Sequence, residues 1–487
     1  MMHLQAFLPE LLLLVLSGLI LGSELVGVAS SDVGSSNKGS GGTFHLAWVG
    51  LVVILAAQYL LPDGAASATL GGATFGGYST SRHIDLWKQV FTLAALGTVL
   101  ISRPYFQAGG SARGVLTRPG AFYGLIALCT FGMFALVSAR DLLTFYLGIE
   151  LATMPLYALA AFQPRDKASA EAGSKYILFG GLSSALSLFG ISFLYGSAGG
   201  LGLESLAAMA ESEPANPILL AGVFFLLGGL GFKLSMAPLH MWAPDVYEGA
   251  PTPVMAFLSV GSKAAAVGAM AVLFFGPLEP LRGKLGTLFA AAAVLSMAVG
   301  NLGAMRQTNL RRFIAYSSIA QVGYMLVALL GDPEPARIAL LYNLVAYGAT
   351  SFALYFVMGV VGRDKPETLS SLRGLSTRSP GLAALLALAM FSLAGIPPLA
   401  GFMGKFLLFS AAAGTGHYFL VAIAVLNAVV SFYYYMQLVK QAYIVEPEGP
   451  VSSIVLSGAE KAWMWILAGL LLVLGLCPSL IGYLSLH

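Results

Sequence analysis

Apolar runs of about 20 residues recur from one end of the chain to the other, separated by short polar segments. Read with a window of about 19 residues, they predict about fourteen membrane-spanning helices. The expected spans are approximately 4–29, 44–62, 86–102, 120–139, 141–162, 173–196, 216–240, 252–275, 285–304, 310–331, 336–361, 380–412, 416–443 and 460–484. The first apolar run, Leu11 to Val28, ends near a VAS tripeptide, but no Lys or Arg precedes it, so it reads as an uncleaved span and not a secretory signal. The twelfth span is too long for one straight crossing. It contains AGIPPLAG, where Pro397 and Pro398 remove backbone donors and Gly395 and Gly401 loosen the helix, so a broken helix is expected. Segments 30–43 and 63–85, rich in Gly and Ser, are expected to be flexible loops.

The grouping of these spans predicts an organisation. The first three (1–119) carry no central lysine and form an accessory unit. Two groups of five follow, spans 4–8 (120–276) and 9–13 (277–443), and a last helix lies in 444–487. Each group of five has a lysine near a break in its fourth helix, Lys233 before Pro238 and Lys405 after Pro397 and Pro398. Because five is odd, the groups enter the membrane from opposite sides, which is the inverted repeat that transporters use to build a midplane site. In that repeat Glu150 aligns with the neighbourhood of Gln321.

Composition agrees with an all-α polytopic membrane protein: 57% hydrophobic, 10% charged, mean hydropathy +0.82. A net charge of only +3, without long basic blocks, excludes nucleic acid as a partner. Cys129 and Cys477 lie in apolar spans without metal-ligand or redox spacing and read as small buried hydrophobes. With the N-terminus placed outside, about sixteen loop Lys/Arg fall on the inner side and about six on the outer, Lys88 among the latter. The bias predicts an even number of spans with both termini outside.

Against this background four charges stand out: Glu150, Lys233, Lys263 and Lys405, each well inside an apolar stretch. An ionised group at the bilayer centre costs roughly 2.5–3.5 kcal/mol on insertion scales, so such residues face a polar interior and have a task there. Desolvation disfavours an ammonium and a nearby carboxylate favours it, so Glu150 can set the protonation of Lys233 if the helices bring them together. Lys263 is the next acceptor and Lys405 the last, while backbone freed at the two breaks can hold water along a proton path. Sodium, which wants several oxygen ligands, is poorly served. Lys175 and Lys440 lie near helix ends and read as snorkelling residues. His240 is a possible relay or an interfacial cap, Asp245 and Glu248 are expected to be solvated or capping groups, and Arg140–Asp141 an interfacial pair.

The wording of these segments is more specific. GFKLSMAPLHMWAPDVYEGAPTPV, followed by FLSVGSKAAAVGAM and later SLAGIPPLAGFMGKF, resembles the antiporter-like membrane subunits of respiratory complex I, the subunit N family, over about residues 120–440. The resemblance implies fourteen helices with two inverted five-helix repeats, breaks in spans 7 and 12, and functional roles at Glu150, Lys233, Lys263 and Lys405. It implies a proton-translocating subunit of NADH:quinone oxidoreductase in a bacterial inner membrane, assembled with subunit M and the small K- and J-type subunits. NADH, flavin, iron–sulfur clusters and quinone then belong to partner subunits, and this chain holds no cofactor of its own. Multisubunit cation/proton antiporters and membrane-bound hydrogenases share the core motifs, subunit M typically carries a glutamate where this chain has Lys405, and a stand-alone exchanger or a structural scaffold are the remaining alternatives.

Overall fold

The computed structural model describes residues 7–30, 39–60, 74–75, 77–106, 118–163, 165–363, 367–447 and 452–478. They form two compact units: one holds the described residues up to Leu234 together with Gly249–Gly283, the other Ser235–Glu248 and the described residues from Lys284 onward.

The first unit opens with α1 (Leu8–Ser30) and α2 (Gly39–Leu60), followed by a short antiparallel hairpin of β1 (Thr74–Phe75) and β2 (Tyr78–Ser79), with Phe75 opposite Tyr78. Next come α3 (Arg82–Phe106), α4 (Pro119–Ser138), α5 (Leu142–Ala160), α6 (Lys167–Ala198), the short α7 (Leu203–Ser212) and α8 (Pro217–Leu234). The starts of these helices are written in the sequence. Asp141 accepts a hydrogen bond from the Thr144 amide at 2.7 Å, Asp166 accepts from Ala168 at 3.0 Å, and Pro119 occupies the first turn of α4. The short α9 (Trp242–Gly249) belongs almost wholly to the second unit. The first unit closes with α10 (Thr252–Phe257), a π-helical turn at Leu258–Ser262 and α11 (Lys263–Phe274), which together make one crossing.

The second unit continues with α12 (Arg282–Met305), α13 (Leu310–Ala328), α14 (Pro333–Val361), a one-turn α15 (Leu375–Arg378), α16 (Pro380–Ala394), α17 (Ala400–Gly414), α18 (Tyr418–Tyr443) and α19 (Gly458–Leu476). Asn309 caps α13 through the amides of Arg311 and Arg312, and Ser457 with Glu460 forms a reciprocal capping box on α19. The crossing windows of α14 and of α10–α11 are each 89% buried, whereas those of α18 and α19 are 28% buried, so the former are core helices and the latter present apolar side chains outward.

Among the described residues twelve helices are long and apolar enough to cross a membrane. α13 is as long as several of these but carries Ser317, Ser318 and Gln321 and is buried along most of its length. The expected twelfth span is the pair α16 and α17, broken where the prolines stand. Among the described residues, helix is found within each of the fourteen expected spans. The loops are shorter than expected: helix already runs from Gly39 and from Arg82. The remainder of 30–43 and 63–85 lies largely outside the described residues.

Connections within each unit sort onto opposite ends of the helices, as alternating crossings require. In the first unit Tyr78 bridges Ala139, Asp141 bridges Gly202, and α7 packs on the turn at Glu279–Leu281, all at one end. At the other end the Gly120 amide donates to Glu24 at 2.9 Å. In the second unit Asn309 bridges Thr368, Arg363 pairs with Glu460, and the Ile454 amide donates to the Arg378 carbonyl at 3.0 Å. Thr415 donates to the Leu330 carbonyl at the opposite end, at 3.0 Å.

Candidate proton-transfer site

In the first unit the site is built on α5, α6 and α8. The Glu150 carboxylate accepts a hydrogen bond from the Ser184 hydroxyl of α6 at 2.5 Å. One turn further along α5, the Thr153 hydroxyl donates to the Ile149 carbonyl at 2.6 Å, which leaves its lone pairs free. The Lys233 ammonium, buried at 7% exposure, donates to that oxygen at 2.8 Å. Glu150 and Lys233 are therefore brought together without a direct bond, coupled across one turn of α5. The carboxylate also lines a cavity of about 830 Å3 shared with Tyr146, Tyr157, Ser174 and Ser184.

Close approach of α6 and α8 places Lys233. A side chain at Gly229 would run into the Ser187 hydroxyl and meet the Ser183 carbonyl at 2.9 Å, and in its absence Ser183 donates to the Gly229 carbonyl at 3.0 Å. Lys233 occupies the last turn of α8, where unsatisfied carbonyls and the helix dipole favour a cation. The helix stops at Leu234, earlier than expected. Ser235 takes a left-handed conformation with φ 61°, and the Ala237–Pro238 peptide is cis.

Lys263, 1% exposed, stands immediately after the π-helical turn of Leu258–Ser262, and its helix α11 packs against α8. A π-turn widens the backbone spacing and is found often at functional positions.

In the second unit the α16–α17 break repeats the logic of a lysine at a helix C-terminus. Gly395, at φ 87°, ends α16, with its amide and that of Ile396 both donating to the Phe391 carbonyl. Lys405, on α17, reaches back to the last carbonyls of α16, donating to Leu393 at 2.8 Å and to Ala394 at 3.3 Å. Its ammonium lies 4.7 Å from the centroid of the Tyr324 ring. The Gly401 amide is taken up by the Ser392 hydroxyl at 3.0 Å, so the break is internally satisfied. Around it runs a polar chain: Gln321 donates to the Leu393 carbonyl at 3.5 Å and to the Tyr435 hydroxyl at 3.3 Å, and Tyr435 shares a hydrogen with Ser317 at 2.6 Å.

Several secondary expectations change. Asp245 and Glu248 are not merely solvated: both pair with Arg312, at 2.8 and 2.9 Å, tying the segment after the first break to the start of α13. Arg140 pairs with Glu204 while Asp141 caps α5, because the sharp corner between α4 and α5 points the two side chains to different elements. Lys175 pairs with Glu171 at 2.7 Å. His240 is half-buried in the turn between α8 and α9, with Nδ1 buried and making no hydrogen bond. Lys88, expected in an outer loop, is 0% exposed. Thr153, three residues after Glu150, was accessible to sequence reasoning as a polar residue on the same helix face. Ser184 was not, since only the packing of α6 on α5 brings it to the carboxylate.

Residues 139–431 match the family described as NADH:quinone oxidoreductase/Mrp antiporter, TM. The chain belongs to this family. All four buried charges, from Glu150 to Lys405, fall inside the matched region. Among its relatives, NADH-quinone oxidoreductase subunit N of Moorella thermoacetica is 39% identical over 450 residues, covering 90% of each chain. NADH-quinone oxidoreductase subunit N of Rhodospirillum rubrum is 38% identical, over 97% of this chain and 94% of the relative. Among solved structures, a chain of respiratory complex I from Thermus thermophilus with bound aureothin superposes with a TM-score of 0.80 at 32% identity, over 97% of this chain and 98% of that one.

Proposed function

We propose that the chain is a proton-translocating membrane subunit of a bacterial NADH:quinone oxidoreductase, carrying protons while electron transfer from NADH to quinone takes place in partner subunits. The observation that carries this reading is the placement of Lys233 in the last turn of α8 and of the Lys405 ammonium on the C-terminal carbonyls of α16, each bonded to neutral oxygen and not to a carboxylate. An ammonium so held is stabilised enough to exist in an apolar interior, yet is not locked by an ion pair, so a shift of nearby charge moves its proton. Glu150 supplies that charge to Lys233 through the Thr153 turn. Lys263 and then Lys405 receive the proton in turn, and His240 is an auxiliary relay. The loop charge bias supports an N-terminus on the outer face of the inner membrane and proton movement from inside to outside. Spans 4–8 and 9–13 act as two inverted repeats. Flavin, iron–sulfur clusters and the NADH and quinone sites belong to neighbouring subunits, with subunit M and the small K- and J-type subunits as membrane partners.

A stand-alone exchanger is the competing reading, and reconstitution separates the two. Liposomes holding the whole complex should pump protons on addition of NADH and quinone, while liposomes holding the chain alone should show no coupled exchange. Sodium-for-proton exchange by the chain alone would favour the exchanger.

A further inference from the structure

The break between α16 and α17 carries a pair of acceptors that the sequence itself provides. In a continuous helix the carbonyls of Leu393 and Ala394 would accept from the amides of residues 397 and 398. Both of those positions are proline, which has no N–H to give. The Lys405 ammonium takes the two carbonyls instead, at 2.8 and 3.3 Å, and Gln321 adds a donor to the first of them at 3.5 Å. Such a pair suits an ammonium, which has three donors and no acceptor.

Lysine can use the pair only if α17 starts at a fixed distance from the end of α16, because hydrogen bonds weaken steeply as distance and angle depart from their optimum. Gly395 turns the chain but does not set that distance. The buried hydroxyl of Ser392 does. On α14 the Thr350 hydroxyl donates to the Ala346 carbonyl at 2.7 Å, so in its 2.9 Å contact with Ser392 it is the acceptor and Ser392 the donor. The lone pairs of Ser392 then face the Gly401 amide, which donates to them at 3.0 Å. Three helices are thus joined at one side chain. Ser392 immediately precedes Leu393, whose carbonyl receives the ammonium, and Gly401 stands one turn before Lys405, about 6 Å along α17. A side chain at Gly401 would run into the Ser392 carbonyl, so the two helix ends approach as closely as glycine permits.

We propose that Ser392, oriented by Thr350, is a positioning residue of the proton path: it fixes α17 against α16 so that Lys405 falls on the carbonyls that Pro397 and Pro398 leave open. This rests on the functional reading above, in which Lys405 carries a proton. The titratable groups on this side of α17 are Tyr324 of α13, with its ring centroid 4.7 Å from the ammonium, and Tyr435 of α18, one hydrogen bond beyond Gln321. From α14 come the neutral Thr350 and Asn343, the latter against Gly404, and the one acid of α19, Glu460, is paired with Arg363. Among the described residues no carboxylate pairs with Lys405, so nothing offsets a loss of the two carbonyls, and the charged form is then disfavoured.

The test uses the assembled complex in membranes, with assembly checked on a native gel, and follows NADH-driven pumping as a function of pH in Ser392→Ala, Thr350→Val, Thr350→Ser and Lys405→Ala. A less firmly held ammonium gives up its proton at lower pH. In Ser392→Ala and Thr350→Val the alkaline limb of the profile should therefore move down by about one pH unit, a roughly tenfold loss of pumping on that limb. Thr350→Ser, which keeps the hydroxyl, should restore both. An unmoved limb with wild-type pumping in the assembled variants overturns the proposal. So does an equal fall at every pH that Thr350→Ser fails to recover, since lost stability alone produces that pattern. If Ser392→Ala does not assemble, Thr350→Val against Thr350→Ser decides by the same two readouts. Normal pumping by Lys405→Ala would instead remove the functional reading on which the proposal stands.

Discussion

Thr153 offers the sharpest test of how the first buried lysine is held. Its hydroxyl donates to Ile149 within α5 and accepts the Lys233 ammonium at 2.8 Å, so Thr153→Val removes the acceptor while keeping the branched shape. A hydrogen bond to a charged group contributes roughly 1.5–3 kcal/mol. That loss lowers the charged-to-neutral ratio of the lysine roughly tenfold to a hundredfold, at about 1.4 kcal/mol per factor of ten. The backbone of α5 keeps its own hydrogen bonds, so assembly should be unaffected. NADH-driven proton pumping in membranes with normal complex content should fall by about that factor in Thr153→Val and recover in Thr153→Ser. Wild-type pumping in Thr153→Val would refute the claim that this hydroxyl supports the ammonium.

Other expectations follow from the same geometry. Lys405→Met strips the donor from the Leu393 and Ala394 carbonyls, a loss of about 1–3 kcal/mol at the break. It should speed amide exchange over residues 395–402 roughly tenfold while abolishing pumping. Gly229→Ala drives a methyl into Ser187 and should destabilise the α6–α8 contact by about 1–3 kcal/mol, read as a lower thermal midpoint of the complex. Arg312→Ala breaks two partly exposed pairs contributing no more than about 1 kcal/mol each, so thermal stability should fall only slightly and pumping should persist.

The helices were legible in the sequence because length and hydropathy alone specify a crossing, and the two breaks because proline and glycine remove donors and permit positive φ. The four charges within apolar runs were visible for the same reason: their cost is written against the surrounding side chains. What escaped was the set of neutral partners. Ser184, Tyr324 and the α16 carbonyls reach their lysine or glutamate only through helix packing, which a linear reading does not supply. Lys88 escaped for a different reason. It lies seven residues after Ser81, close enough to a polar segment to be counted with the loop, and its burial depends on Glu10, far away in the chain, meeting it across α1 and α3. The end of α8 and the start of α2 also shifted: the left-handed backbone at Ser235 stops α8, and helix runs from Gly39, ahead of the hydropathy window.

The most direct measurement of the central claim is NADH-driven, quinone-dependent proton pumping in membranes carrying Lys233→Ala, with assembly verified on a native gel. Loss of pumping in an intact complex is the expected result and places Lys233 on the coupled proton path. Pumping at the wild-type rate would contradict the account and reduce the buried lysines to structural residues.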